Sequence, residues 1–330
     1  MRQPLLVCGG MALLAAVVFA GQRPAAPAPK APLLRTAWGD PDLQGVWNFA
    51  AGTPLERPDS FGGREFMSDE ELARAERAAR ARSNADRRDG GGSLDVSREA
   101  NEFWYPRRDT ILSRRTSLIV DPPDGKLPPL TEEALRKRAA NANHLRDHPA
   151  DSWEDRNLRE RCLIFLQHGP PIIPINGPND ELLLGFPFHF EVVQTRGYLV
   201  IRHEEVNVRI ILLDGRAHLP SHVSQWLGDS RGRWQDRTLV VETTNFREGR
   251  PYAGAVATAN LRVVERFTRL DGETMDYRFT VEDPTTWTQP WTASVPIART
   301  HGQIYEYACH EGNYSLPNIL SGARVLERRR

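Results

Sequence analysis

The strongest constraint on the fold is a series of short segments in which apolar and polar residues alternate. They lie between residues 180 and 315 and are separated by turn signals such as Asp214-Gly215 and Asp271-Gly272. A period of two predicts strands, and tight turns predict that consecutive strands pair antiparallel. About seven or eight such strands suffice to close a small barrel. We therefore predict a mainly β protein, an antiparallel meander that closes into a barrel or forms a curved sheet.

The segment Gly228–Phe246 shows this pattern most clearly. A turn-forming run leads through Trp234 into Thr238–Asn245, whose β-branched residues are enriched in strands. The other strands predicted in this half are a segment with Phe186, Phe188, Phe190 and Val192 on one face, Tyr198–Ile201 paired with Val206–Leu213, Leu261–Leu270, Thr274–Glu282, Trp291–Ile297 and Ile304–His310.

Residues 60–170 favour helices and loops, which we expect to wrap around the β-rich part. Ser68, with a glutamate three residues later, is predicted to cap a first helix. Thr131 is predicted to cap a second helix. A third, short helix is predicted over Trp153–Leu163.

The first 20 residues have the features of a secretory signal. A positively charged start precedes the apolar run Leu5–Phe19, and Val18-Phe19-Ala20 fits the cleavage rule. A transmembrane anchor is disfavoured because the run is shorter than the roughly 20 residues that a bilayer requires. Residues 21–37 form a Pro/Ala-rich linker, and 38–330 are predicted to form a single domain. We expect a periplasmic or extracellular protein without stable membrane insertion.

Two cysteines remain after cleavage of the signal, Cys162 and Cys309. Exported proteins fold in an oxidising compartment, so the pair predicts one disulfide. It would join the end of a helical segment to a late strand. The alternative is two buried, unpaired thiols.

The charge balance and the motifs exclude several classes of function. The chain has 43 basic and 43 acidic residues, so no global field would attract nucleic acid. The sequence has no Gly-rich phosphate loop, and none of its three lysines lies in an apolar strand where it could form a Schiff base. We predict no cofactor and a small molecule as the partner, and the oligomeric state stays open.

Glu265 is the first candidate for acid/base chemistry. It shares one strand face with Leu261, Val263 and Phe267, so its carboxylate should point into the barrel. A buried carboxylate must be paired or protonated, and one with a raised pKa could act as a general acid or base. The alternative is a structural salt bridge to an inward arginine such as Arg209.

Three further residues could join Glu265 in an acid/base site. Glu242 interrupts the neighbouring strand, although either face of that strand could be the inner one. His310 shares a face with Glu306 on the last predicted strand, and His218 lies in a loop. Neighbouring strands of one barrel could bring these side chains together.

A metal site at His218 and His222 is an alternative reading of this loop. Two histidines four residues apart can chelate a metal on a helix, but Pro220 places these two in a loop. Asp214 or Asp229 could complete a loop site. We predict no metal.

Aromatic residues near the predicted barrel suggest a ligand site. The segment around Trp287 and Trp291 resembles an aromatic loop at a barrel mouth, and such walls suit sugar rings or flat aromatic ligands. The alternative is that these rings plug the barrel. The predicted ligand-binding residues are Arg209, Trp234, Trp287, Trp291, Glu306 and Tyr307.

One local resemblance supports a barrel. Gly45-Val46-Trp47 resembles the Gly-x-Trp start of lipocalin-like barrels, in which the tryptophan closes one end.

Most of residues 115–324 also resembles a large family of exported bacterial proteins whose activity is not established. In many of its members an acid, a His and an Asp precede the position of Arg209, where this chain has His203, Val206 and Asn207. The segments that carry this resemblance are Arg115–Thr131, Leu212–Leu219, Gln225–Phe246, Leu261–Thr268, Thr280–Thr292 and Ile304–Ser315.

These observations predict an exported protein with a small-molecule pocket. One hypothesis is a cofactor-free lyase, isomerase or hydrolase acting on an aromatic or sugar-like compound. The alternatives are a binding protein for an apolar or aromatic ligand and a structural envelope protein.

Overall fold

Nine strands close into a barrel in the part of the chain that the computed structural model describes. That part comprises residues 34–49, 52–83, 113–158, 160–163, 169–172, 189–204, 208–249, 251–252 and 255–329. The predicted signal and most of the linker lie outside it, as do Phe186 and Phe188. The strands are β1 (Gly45–Asn48), β2 (Ile119–Asp121), β3 (His189–Gln194), β4 (Tyr198–His203), β5 (Val208–Leu212), β6 (Asp229–Gln235), β7 (Thr238–Thr244), β8 (Pro251–Tyr252), β9 (Ala255–Val256), β10 (Arg262–Arg269), β11 (Thr274–Glu282) and β12 (Trp291–Thr300).

The barrel order is β1-β3-β4-β5-β6-β7-β10-β11-β12, and β12 returns to pair with β1. Strand β2 extends the sheet outside the ring by pairing with β12, and β8 and β9 form a separate hairpin. The mainly β class and the barrel are therefore confirmed.

One pair departs from the predicted antiparallel meander. Strands β5 and β6 are parallel, with Leu212 opposite Arg231. A parallel pair requires a connection that crosses from one end of the strands to the other, and residues 213–228 provide it. Asp214-Gly215, at the start of this connection, therefore does not form a hairpin turn.

The last predicted strand, Ile304–His310, is wrong. Residues 304–308 are not in a strand, and Cys309–Gly312 form a 3-10 helix. The physical reason is barrel closure: β12 already pairs with β11 on one side and with β1 and β2 on the other. Among the described strands, the closed ring leaves no free edge with which residues 304–310 could pair.

The described residues form three α-helices outside the barrel wall: α1 (Asp69–Ser83), α2 (Glu132–Asp147) and α3 (Ser315–Glu327). The first two begin as predicted, because Ser68 exchanges hydrogen bonds with Glu71 and Thr131 Oγ1 accepts from Ala134 N. The predicted helix over Trp153–Leu163 is wrong, since the described residues of this range form a 3-10 turn at Trp153–Asp155 and no α-helix. Helix α3 was not predicted. It contains Pro317, which a helix tolerates in its first turn.

Trp47 lies at the end of the barrel that contains the β10–β11 turn. Its ring is fully buried, and the guanidinium of Arg269 lies 5.3 Å from the ring centre. The nitrogens of Arg269 donate to the carbonyls of Asp42, Asp271 and Gly272, each at 2.8 Å. Trp47 and the arginine over its ring therefore fill this end of the barrel.

The predicted disulfide between Cys162 and Cys309 is present, with a Cα–Cα distance of 5.5 Å. Neither cysteine lies in a barrel strand. Such a bond is compatible with an exported protein. In the described part of the chain, none of the helices combines the length and apolar character needed to span a membrane.

Gly228, directly before β6, is predicted not to tolerate a side chain. Its φ is +72°, and an added Cβ would lie 2.6 Å from Thr243 Cγ2 and 2.8 Å from Thr244 O. Gly228→Ala should therefore reduce the free energy of unfolding by about 2–3 kcal/mol, from backbone strain plus steric overlap. Gly215→Ala is the matched control, because Gly215 has φ +76° but no atom within 4 Å of the added Cβ. Urea unfolding measures both, and equal losses would contradict the steric argument.

Candidate functional site

The charged centre of the barrel is an ion pair between Arg209 on β5 and Glu265 on β10. Glu265 is fully buried and Arg209 is 5% exposed. Because side chains alternate along a strand, Glu265 points inward with Val263 and Phe267, which are both in the core. The arginine also donates to Ser230 Oγ and Thr243 Oγ1, each at 2.9 Å. The carboxylate therefore has a counter-charge inside the barrel, the alternative that the sequence left open.

Tyr277 on β11 occupies the second oxygen of Glu265. Its hydroxyl donates to Glu265 Oε1 at 2.8 Å and accepts from the backbone N–H of Ile172 at 3.0 Å. Burial, reinforced by the nearby Glu265 charge, raises the pKa of Tyr277 well above its ordinary value, so the hydroxyl stays protonated. With both carboxylate oxygens occupied, Glu265 is a poor general base.

Three donors in the barrel wall lack partners. Within the described residues, Arg209 Nη1 is buried and makes no hydrogen bond, and the same holds for the indole nitrogens of Trp234 and Trp291. Buried donors are nearly always satisfied in native proteins, so each exception requires an explanation. A charged donor is the most costly to leave unpaired.

Glu242 faces the outside of the barrel, because it follows the inward Val241 on β7 and successive side chains of a strand point to opposite faces. It forms an ion pair with Arg262 at 2.7 Å, and this hydrogen bond lowers the pKa of Glu242. His218 Nε2 lies 3.7 Å from Glu242 Oε1. The structure therefore brings His218 and Glu242 together, but on the opposite face of the wall from Glu265.

Asp229 holds His218 in this outer position. His218 Nδ1 lies 2.9 Å from Asp229 Oδ2, and Asp229 Oδ1 pairs with Arg231 at 2.9 Å. Both carboxylates beside His218 are thus paired with an arginine. His222 is exposed, and the described residues contain no group of three side chains that could hold a metal ion.

The remaining predicted residues do not meet Glu265. Glu306 and His310 are exposed and lie in the segment that is not a strand, so they cannot point into the barrel. Tyr307 is half-buried, and its backbone N–H donates to Glu204 O at 2.7 Å.

Trp287 and Trp291 are buried core residues. Their ring centres are 6.0 Å apart, and Trp291 also contacts Phe279 edge-on at 5.6 Å. Trp234 is half-buried against the same core. These rings therefore pack against other core residues and do not form an exposed aromatic loop at a barrel mouth.

Several polar residues at the centre were not predicted. Ser230, Thr243 and Tyr277 each lie on inward faces, which is the signal that could have identified them. A second pair outside the barrel was also missed: His189 Nδ1 lies 3.1 Å from Glu204 Oε1, and Glu204 is 4% exposed. Among the described residues, no arginine or lysine pairs with Glu204.

One of the three positions at which the chain departs from the resembled family, His203, directly precedes Glu204 in the chain. His203 is buried, with its ring centre 5.9 Å from that of Phe190, and Val206 and Asn207 lie outside the described residues. Comparison of the chain with protein-family models, with curated proteins and with solved structures finds no match.

Proposed function

We propose that the protein is a non-catalytic binding protein, exported to the periplasm or the cell exterior, whose barrel holds a small neutral carbonyl compound with an apolar or aromatic body. The observation that carries the proposal is the buried, unpartnered Nη1 of Arg209 in the described part of the chain. A bound oxygen acceptor would satisfy this donor. Export is supported by the disulfide and by the signal features of residues 1–20.

The charge balance at the centre favours a neutral ligand. Arg209 and Glu265 already neutralise each other, so an added carboxylate would leave a net negative charge in a buried site. Desolvating an unpaired charge costs several kcal/mol or more, whereas a carbonyl oxygen accepts a hydrogen bond without adding charge. Phe279 pairs in register with Glu265, and its ring centre lies 5.7 Å from that of Tyr277, which favours an apolar or aromatic body.

The occupied carboxylate supports binding rather than catalysis. An acid/base enzyme requires a group that can exchange a proton with its substrate, whereas Glu265 accepts from both Arg209 and Tyr277.

The His189–Glu204 pair has no such neutralising arginine among the described residues. The residue after His189, Phe190, is the one that points into the core. That pair therefore belongs to the outer side of the wall.

A thermal-shift titration tests the proposal with three probes of similar size: acetophenone, benzoate and ethylbenzene. We expect acetophenone to raise the unfolding midpoint of the protein from Gly21 onward the most, because only it combines an aromatic body with a neutral acceptor. A ligand at a hundredfold excess over its Kd stabilises the folded state by about 2.7 kcal/mol.

Arg209→Lys keeps a positive charge beside Glu265 but replaces the three guanidinium nitrogens by a single ammonium. No donor is then left over for the ligand, so the variant should lose the preference for acetophenone over ethylbenzene. Arg231→Lys, on the outer wall, is the matched control and should keep the preference. The reaction mixture is analysed for unchanged ligand at the end. Consumption of the probe would replace binding by catalysis, and no shift with any probe would favour a structural barrel.

A further inference from the structure

Trp291 on β12 has a second buried donor without a partner. Its side chain is 0% exposed and, among the described residues, its indole Nε1 makes no hydrogen bond. The ring contacts Phe279 edge-on at 5.6 Å and lies 6.0 Å from the ring of Trp287. These contacts account for the packing of the ring but not for its N–H. A buried indole N–H usually has an acceptor, so this donor requires an explanation of its own.

The unused nitrogen of Arg209 points away from the strands that hold the guanidinium. Nε donates to Ser230 Oγ on β6, and Nη2 donates to Thr243 Oγ1 on β7 and to Glu265 on β10. In the planar and rigid guanidinium, Nε and Nη2 share one edge, and Nη1 lies outside that edge. Nη1 is therefore directed away from β6, β7 and β10.

Trp291 lies across the ring from Arg209. Between β5 and β12 the barrel has β6, β7, β10 and β11 on one side and β4, β3 and β1 on the other. Phe279 on β11 connects the two regions, because it pairs in register with Glu265 and its ring contacts Trp291. The aromatic ring of Phe279 therefore lies between the central ion pair and the unpartnered indole.

Trp234 on β6 also has an unpartnered indole nitrogen among the described residues, but it lies towards the end of the barrel that Trp47 fills. Across β7 it is in register with Phe267, two residues before the arginine that packs on Trp47. The backbone of Ser230, which accepts from the central guanidinium, is about 13 Å from that of Trp234 along the strand. Trp291 is therefore the better placed second donor.

We propose that Arg209 and Trp291 bind one ligand from two sides, and that this ligand has two neutral oxygen acceptors on one apolar or aromatic body, as in a diketone or a quinone. The inference rests on the proposed binding function. Arg209 Nη1 donates to one acceptor, Trp291 Nε1 donates to the other, and Phe279 packs against the body between them. Neither acceptor is charged, because Glu265 already neutralises Arg209 and an indole N–H has no charge to offer.

Thermal-shift titrations with matched ligand pairs test the proposal on the chain from Gly21 onward. The probes 1,3- and 1,4-diacetylbenzene have two carbonyls, and 3- and 4-ethylacetophenone have nearly the same shapes with one carbonyl. We expect at least one diacetylbenzene to bind about threefold to tenfold more tightly than its ethyl counterpart, the range for one neutral hydrogen bond. Equal affinities within both pairs would overturn the proposal. A preference for acetophenone over ethylbenzene would then still support the proposed binding function.

Trp291→Phe keeps an aromatic ring and removes the N–H. It should abolish the preference for the diacetylbenzene and keep the preference for acetophenone over ethylbenzene, which depends on Arg209. Trp234→Phe is the matched control, because it removes an equally unpartnered N–H from the other side of the site. It should keep both preferences. A loss of the diacetylbenzene preference in Trp234→Phe alone would overturn the assignment of Trp291.

Nuclear magnetic resonance of the indole N–H groups gives a readout that does not depend on the folding of a variant. A proton that enters a hydrogen bond is deshielded. We expect the Trp291 Nε1–H resonance of the unsubstituted protein, assigned through the backbone of β12, to move further downfield with the diacetylbenzene than with its ethyl counterpart. Equal movement with the two ligands would contradict a bond from this indole to the second carbonyl.

Discussion

Glu265→Gln should reduce the free energy of unfolding by about 3–5 kcal/mol, measured by urea unfolding at neutral pH. The substitution keeps an oxygen that can accept from Tyr277, and it changes the side-chain volume little. It removes the counter-charge of Arg209, which is 5% exposed. Breaking a buried ion pair from one side leaves an uncompensated charge, which is the source of a loss of this size.

The double variant Arg209→Met/Glu265→Gln separates this effect from lost packing. With both charges removed, no buried charge stays unpaired, so the double variant should be more stable than the sum of the single losses predicts. We expect a coupling energy of about 2 kcal/mol or more between the two positions. Additive losses would mean that the two side chains stabilise the barrel independently, contrary to the ion pair.

Glu242→Gln provides the matched control for the same substitution on the opposite face. Glu242 is next to Val241, which pairs in register with Glu265. It pairs with Arg262, and the two side chains are 26% and 36% exposed. Exposed pairs contribute at most about 1 kcal/mol, so the control should lose several-fold less stability. A loss equal to that of Glu265→Gln would contradict the assignment of inner and outer faces.

The direction of Glu265 could be predicted because a strand has only two faces. Its apolar neighbours at every second position mark the inner one. The sequence also suggested Arg209 as an ion-pair partner, from the same alternation on β5. The complete network could not be predicted. Arg209 and Glu265 are 56 residues apart, and barrel closure and register decide which inward side chains from different strands meet.

Ile172 illustrates this limit. Its backbone N–H reaches Tyr277 across 105 residues, and no local pattern marks a loop residue as part of a barrel core. His218 illustrates it again. Its partner, Asp229, lies 11 residues further on, at the other end of a crossover connection that the sequence had suggested to be a hairpin. The period-two pattern at Ile304–His310 was misleading because alternation predicts a strand only where a partner edge is free.

Removal of the disulfide by Cys162→Ser/Cys309→Ser should cost about 4 kcal/mol of unfolding free energy. The bond joins residues separated by 147 positions. In the chain-entropy account, a cross-link that closes so long a loop removes many conformations from the unfolded state. The loop contains nearly all of the barrel, from β3 to β12, so the constraint acts on the unfolding of the barrel.

The contacts around the disulfide allow a sharper test of where this stabilisation acts. Asn313 and Arg324 donate hydrogen bonds to the backbone carbonyls of Glu160 and Ala150, so the two segments that the disulfide joins are also held together without it. If the cross-link acts through the unfolded state, the double serine variant should keep its barrel circular dichroism and unfold at lower urea. Limited proteolysis that releases the region after residue 304 from this variant, with unchanged urea unfolding of the barrel, would contradict that account. The disulfide would then only hold the C-terminal segment in place, because the barrel would gain no stability from it.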